Sequence, residues 1–436
     1  MTSTSSVFSR IMGNTALLIS SRIINAICSF IYVAWAAQTL GLANFGYLLL
    51  VTTFVSLICD VTHLQSWQCL LHYGTSFFEK KEFSKFHDIL GFCIRSDFIS
   101  GLIGFLVSIT LVYFLGSSVL HWSPDIQMKA FLCSVTILCM NTGWSTGILR
   151  LCNKFKYVTC YELITTTVRT TATYIGFVRH YTLDYFLFVW CLTQLTMFVS
   201  CTFFGVYLTK KFTGSLPAPR LISSLKTPLQ GMWKYNVNTS INQILEAVFL
   251  QGATLAIGSY LGPKDAAVYR VARQIGNGLV KPAQLMIPSL YPEFIKMRDK
   301  EDWPGVKHII YKTFGVVLGV SALVLLIVYF FGQDIISYML HQKTTYGFSV
   351  LFILCCNSII NILMVPLEPY IIMIGKVSNL LKIRISVIFL YFSLLGVFMS
   401  TWGVIGSSVE ILLSSIILFA FCFHTFNSDL KKRLPK

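Results

Sequence analysis

The stretch "AVYRVARQIGNGLVKPAQLMIPSLYPEF", residues 267–294, decides how this sequence is read. It has the length of a membrane-crossing helix, about 20 residues rising about 1.5 Å each. Yet it carries Arg270, Arg273 and Lys281. With Asn277 and Gln284, these cations recur every three or four residues, the spacing of one helix face. Val268, Val271, Ile275 and Leu279 fall on the other side. A cation near the bilayer centre costs roughly 2.5–3.5 kcal/mol on insertion scales. Such a face is therefore tolerated where it lines water, meets an acid or holds an anionic ligand. Pro282 removes a helix hydrogen bond and crowds the carbonyl of Gly278, and Pro288 and Pro292 follow. Irregular backbone at membrane depth belongs beside a cavity.

The rest of the chain fits a membrane setting. Of 436 residues, 55% are hydrophobic and 12% charged, with a mean hydropathy of +0.69. Apolar runs long enough to span a bilayer are expected near 11–38, 45–71, 89–115, 128–150, 157–178, 183–209, 233–258, 266–291, 308–331, 345–371, 378–400 and 403–425. The opening "MTSTSSVFSRIMGNTALLIS" runs into the first span without a small-residue cleavage site, so that span is expected to direct insertion. The fold class is thus all-α, a polytopic membrane protein of twelve spans. Of the 34 Lys and Arg residues, 25 fall at the termini and in alternate loops; Lys129, Arg179, Lys264 and Lys343 alone occupy the loops on the other side. This asymmetry places both termini in the cytoplasm. The net charge of +16 is then a topology signal, and no nucleic-acid partner is expected. The thirteen cysteines show no CxxC spacing and read as small buried apolar residues.

An internal repeat organises the spans. "LGLANFGYLLLVTTF" starts at Leu40 and "LGPKDAAVYRVARQI" at Leu261. In this register Gly41 meets Gly262, Arg22 meets Gln243 and Asn25 meets Glu246. Two six-helix bundles follow: residues 1–209, a polar cytoplasmic linker at 210–231, and residues 232–436. An even number of spans makes the repeat parallel, and such repeats enclose a site between halves that rock.

The pattern LGxxxFG, its echo "LGPKDAAVYRVA" and the closing "PSLYPEF" resemble the polysaccharide flippases of the multidrug/oligosaccharidyl-lipid/polysaccharide (MOP) export superfamily, and within it the Wzx-type O-antigen branch. The resemblance implies a MATE-like fold, a cargo of polyprenyl-pyrophosphate-linked oligosaccharide, no bound cofactor, and transport driven by an H⁺ or Na⁺ gradient. It also implies a bacterial inner-membrane location among membrane lipids and other polysaccharide assembly proteins.

Candidate residues follow from that cargo. Arg22, Arg270, Arg273 and Lys281 suit pyrophosphate oxygens through charge-assisted bonds. Asn25, Asn238, Asn242, Gln243, Asn277 and Gln284 suit sugar hydroxyls. Asn238, Asn242 and Glu246 share a face of the seventh span. Glu246, expected to be buried near mid-span, is the coupling carboxyl of choice. Asp60 corresponds to Lys281 in the repeat and is a candidate ion pair with it. Glu162 and Arg169 read as a structural or gating pair, and Glu368 and Glu410 as solvated acids near span ends. Five intramembrane cations (Arg22, Arg169, Arg270, Arg273, Lys281) against three acids (Asp60, Glu162, Glu246) favour an anionic cargo.

Rival functions are weaker. A cation exporter of the same superfamily would want an acidic cavity. A polymerase would carry a large extracytoplasmic loop, and a nucleotide-sugar glycosyltransferase a DxD triplet, which this chain lacks. No Walker A motif is present, so no ATP site is expected. A lipid II flippase would need two more helices.

Overall fold

The computed structural model describes residues 4–215, 229–284, 294, 295, 297–342 and 344–433, with the side chains of 4–23, 242, 281, 282, 284 and 377 excepted. Among these residues the chain is helical and forms no strand. The helices are α1 (Thr4–Thr62), α2 (Ser66–Glu79), α3 (Phe83–Leu115), α4 (Pro124–Ser134), α5 (Ile137–Met140), α6 (Gly143–Leu151), α7 (Phe155–Val178), α8 (Leu183–Thr213), α9 (Met232–Tyr260), α10 (Pro263–Gln284), α11 (Trp303–Leu340), α12 (Gly347–Met373) and α13 (Val377–Arg433).

These helices fall on the twelve expected spans, the eighth of which is described only as far as residue 284, so Pro288 and Pro292 lie outside the described residues. α1 folds into two arms at Gly41 and α13 into two arms at Gly403, where the backbone leaves helical geometry. Among the described residues, eight helical stretches are long and apolar enough to cross a membrane. Two of those eight are the kinked double arms of α1 with α2 and of α13, while α7 and α10 are more polar than the rest. Gly41 and Gly262, paired by the repeat, both adopt positive φ, 68° and 102°. An L side chain is strained there, so glycine makes both corners possible. The expected second and fourth spans are not continuous. Residues 63–65 separate α1 from α2, and the fourth span is split into α4, α5 and α6. Buried polar contacts, described below, take the place of the missing helical hydrogen bonds.

Lipid-facing surfaces are plain in the exposure pattern. Val316, Leu318, Val320 and Leu323 of α11 are all more than half exposed, as are Tyr113, Phe114 and Phe389. Soluble proteins seldom expose so many large apolar groups together, and a bilayer explains them. The thirteen cysteines are free thiols, and seven of them are fully or nearly fully buried within the helices.

The chain packs as two compact units, residues 1–259 and 260–436. The first has a core of Leu70, Phe86, Ile89, Leu90, Leu149 and Leu208 that also takes in Met232. α9 is held in this unit by polar contacts as well: Asn236 Nδ2 donates to Ser96 Oγ at 3.0 Å, Gln65 N–H to Ser240 Oγ at 3.0 Å, and Gln251 Nε2 to Asp60 Oδ2 at 2.6 Å. By repeat register α9 opens the second half of the chain; by packing it is part of the first unit. The second unit is built on Val306, Ile310, Leu367, Tyr370, Ile371 and Phe426. At its end beyond the last expected span, Asp429 accepts from Tyr370 Oη at 2.9 Å and Arg433 Nε at 2.7 Å, with Lys376 at 3.6 Å. The Arg433 guanidinium also lies 4.2 Å over the Trp303 ring.

Candidate functional site

Each unit carries polar side chains at membrane depth. In the first, the elbow of α1 meets α7 and α8 around a small cavity of about 50 Å³ lined by Tyr32, Thr52, Arg169, Thr173 and Trp190. The Arg169 guanidinium stacks 3.9 Å above the Tyr32 ring, a favourable placement for a partly desolvated cation. One turn back along α7, the Thr166 hydroxyl donates to Asn25 Oδ1 at 2.7 Å. Asn25 is thereby fixed against α7.

A second, buried network lies where two helices break. His63 Nδ1–H donates to Asn141 Oδ1 at 2.6 Å, and Asn141 Nδ2 donates to the Asp97 carbonyl at 3.1 Å and the Ser100 hydroxyl at 3.0 Å. The Trp144 N–H donates to Asp97 Oδ2 at 2.8 Å. The Ser66 hydroxyl and Gly143 N–H lie beside the same carboxylate. Asp97 therefore caps α6 from a neighbouring helix. The positive end of a helix dipole and its unbonded N–H groups are the natural partners of a buried carboxylate.

In the second unit, α10 packs against α12 at Gly276, where an added Cβ would sit 2.7 Å from Ser358 Oγ. Arg273 is buried, 5% exposed, with its guanidinium 5.7 Å from the Tyr269 ring centroid. Tyr269 and Tyr391 are fully buried and approach hydroxyl to hydroxyl, with Arg273 and Glu410 acting on Tyr391. Glu410 is 2% exposed and accepts from Ser414 Oγ at 2.8 Å.

The polar face expected along residues 270–284 thus does not meet a single environment. Arg273 points into the unit among tyrosines, Arg270 is half-buried and Asn277 is exposed. Lys281 and Gln284, like Arg22 and Asn242, have side chains outside the described residues. On α9, Asn238 and Glu246 are exposed and Gln243 is half-buried. Glu246 therefore lacks the burial expected of it. Asp60 is bonded to Gln251 of its own unit. Two expectations are corrected. Glu410 is not solvated but buried. The acid inventory also omitted Asp97, which is 3% exposed inside α3. Glu368 is half-buried and ion-paired with Arg384. Asp97 and Glu410 bring the acids to five, and Arg95, in the same expected span as Asp97, brings the cations to six, so the cation surplus narrows from two to one. Asp97 could have been found from the polar triplet Asn141–Thr142–Gly143 and from His63, both set in otherwise apolar spans.

Residues 11–298 match the family described as "Polysaccharide biosynthesis protein". The chain belongs to this family. A curated relative, "Inner membrane protein YghQ" of Escherichia coli (strain K12), is 23% identical over 343 residues, spanning 77% of this chain and 94% of that protein. Among solved structures, a multidrug resistance MATE family transporter of the MOP superfamily in its inward-facing conformation superposes with a TM-score of 0.71 at 11% identity, covering 94% of this chain and 95% of that one. The lipid II flippase MurJ in an inward closed conformation gives a TM-score of 0.67 at 12% identity, covering 97% and 90%. The family member described here is a polytopic membrane protein, and its fold is the one shared by that MATE family transporter and by that lipid II flippase.

Proposed function

We propose that this protein is a flippase that moves polyprenyl-pyrophosphate-linked oligosaccharide, an O-antigen repeat unit or similar glycan, from the cytoplasmic to the periplasmic leaflet of the bacterial inner membrane. Transport runs by ion-coupled alternating access, with both termini cytoplasmic. The membership in a polysaccharide biosynthesis family on a transporter fold carries this reading. The side chains are compatible with it. Guanidinium groups sit at membrane depth in both units, Arg169 over Tyr32 and Arg273 beside Tyr269. Exposed amides, Asn238 and Asn277, offer hydrogen bonds that sugar hydroxyls can use.

A second reading, a cation or multidrug antiporter, is favoured by the buried acids Asp97 and Glu410, since carboxylates rather than guanidinium groups attract cationic drugs. One experiment separates the two. Deleting the gene should abolish a surface polysaccharide while lipid-linked repeat units accumulate on the cytoplasmic side. Overproduction should leave drug susceptibility unchanged. Arg273→Ala should lower the surface polysaccharide at least tenfold with membrane abundance retained. Normal polysaccharide in the deletion strain, or drug resistance on overproduction, would overturn the flippase assignment.

A further inference from the structure

We infer that Glu410 is the carboxyl that takes up and releases a proton as the second unit changes state. The inference rests on the transport reading above and names the coupling residue within it. Sequence reasoning had favoured Glu246 for this role, but Glu246 is exposed on α9.

Glu410 lies two turns beyond the Gly403 kink, within the second arm of α13. Ser414, one turn on along the same arm, donates to Oε1, while Oε2 is buried without a hydrogen-bond partner among the described residues. A buried carboxylate ordinarily has two to three donors or a cation against it, because the desolvation cost of a bare charge is several kcal/mol. One hydroxyl does not offset that, so the charge has to be neutralised by something that binds Oε2. The groups around it are suited to a proton. Tyr391 comes from the first arm of α13, and Tyr269 and Arg273 come from α10; Tyr391 feels both the Glu410 carboxyl and the Arg273 guanidinium. α12 supplies Cys355, Cys356, Glu368 and Tyr370 as its titratable groups, of which Glu368 is taken by Arg384 and Tyr370 by Asp429. α11 meets α13 further along, through Phe314 on Phe419 and Tyr311 on Phe426. Two phenols, a carboxyl and a serine hydroxyl can pass or hold a proton.

The location couples the proton to motion. Glu410 and Tyr391 stand on opposite sides of the Gly403 kink, and Tyr269 and Arg273 belong to α10, whose next turn presents Asn277 at the surface. Adding or removing one charge at Glu410 acts on Tyr391 across the kink, and Tyr391 in turn meets Tyr269 and Arg273 of α10. Contacts that differ in strength between two charge states bias a two-state element.

The test uses the full chain reconstituted in lipid vesicles, without cargo. Infrared difference spectra between acid and alkaline buffer should show the carbonyl stretch of a neutral carboxylic acid that disappears in Glu410→Gln and persists in Glu246→Gln and Asp60→Asn. In cells, Glu410→Gln should lose the surface polysaccharide at least tenfold with normal membrane abundance, and Glu410→Asp should recover part of it with a displaced pH optimum. The inference is overturned if the pH-dependent band is unchanged in Glu410→Gln, or if sodium rather than pH removes it. Should the band vanish in Glu410→Gln while the polysaccharide remains normal in the gene deletion, proton binding stands and the flippase reading falls. Should the polysaccharide depend on the gene but not on Glu410, the flippase reading stands and the coupling role falls.

Discussion

Two carboxyl groups, one in each unit, show how differently a membrane protein can hold an acid in its interior. Asp97 and Glu410 are almost equally hidden, 3% and 2% exposed. Asp97 is tied into another helix: the Trp144 N–H donates to it, it sits at the start of α6, and the Asn141 side chain bonded to its carbonyl is in turn held by His63. Glu410 is tied only to Ser414 of its own helix. The first arrangement resists change, because the donors it would abandon are buried backbone groups. The second gives up little when the charge is lost. Each acid leaves one oxygen, Asp97 Oδ1 and Glu410 Oε2, without a hydrogen-bond partner among the described residues, so what separates them is the partner on the other oxygen: a backbone N–H at the start of another helix for Asp97, a hydroxyl of its own helix for Glu410.

The largest effect expected from this contrast is on stability. Asp97→Ala leaves the Trp144 N–H buried without an acceptor and uncaps α6, for a loss of about 3 kcal/mol. It should appear as a clear fall in the detergent melting temperature and in membrane abundance. Glu410→Gln keeps an oxygen for Ser414 and removes a buried charge, so its melting temperature should equal or exceed that of the native chain. If the two variants melted alike, the distinction between the carboxyls would fail.

Gly143→Ala sharpens the same point with a smaller change. A Cβ there would lie 2.0 Å from Ser66 Oγ and about 3 Å from both oxygens of Asp97 (3.0 and 3.1 Å). Ser66 can rotate away, but the carboxylate cannot without leaving Trp144. Overpacking of this kind costs about 1–3 kcal/mol. Thermal melting should place Gly143→Ala between the native chain and Asp97→Ala, and a native-like melt would show that the cradle is looser than its distances imply.

How much of this was legible beforehand depends on what kind of signal each feature leaves. The corners at Gly41 and Gly262 were visible because only glycine accommodates positive φ cheaply, so the repeat stands in the letters themselves. The helices were visible because hydrocarbon demands long apolar runs. Periodicity also showed that Arg270, Arg273 and Asn277 neighbour one another along α10. It did not show what that surface meets, and a step of four residues separates buried Arg273 from exposed Asn277. Asp97 lies inside the expected third span two residues after Arg95, and nothing in its local pattern marks it as buried. Glu410 was hidden by its closeness to the predicted start of the last span, though seven residues from the kink already carries it about 10 Å along the helix. Tertiary partners decide both cases, and no local pattern encodes them.

A third carboxyl extends the comparison to the most fully partnered case. Asp429 lies in the basic end of α13, beyond the apolar run that ends near residue 425. Its burial would raise its pKa, but hydrogen bonds from Arg433 and Tyr370 and the charges of Arg433 and Lys376 outweigh that, and the net shift is downward. A depressed folded-state pKa means that the charged form stabilises the fold. The contribution is complete above the unfolded value, about 3.9, and fades as pH falls through the lower folded value. The native chain should therefore lose melting temperature on acidification below about pH 4. In Asp429→Asn that part of the acid slope should be missing, at the cost of a small loss near neutrality, since ion pairs this close to solvent contribute about 1 kcal/mol or less. An unchanged acid slope in Asp429→Asn would place the sensitivity elsewhere. It would also mean that a well-partnered carboxylate at the helix end stabilises the unit no more than the sparsely partnered Glu410 does.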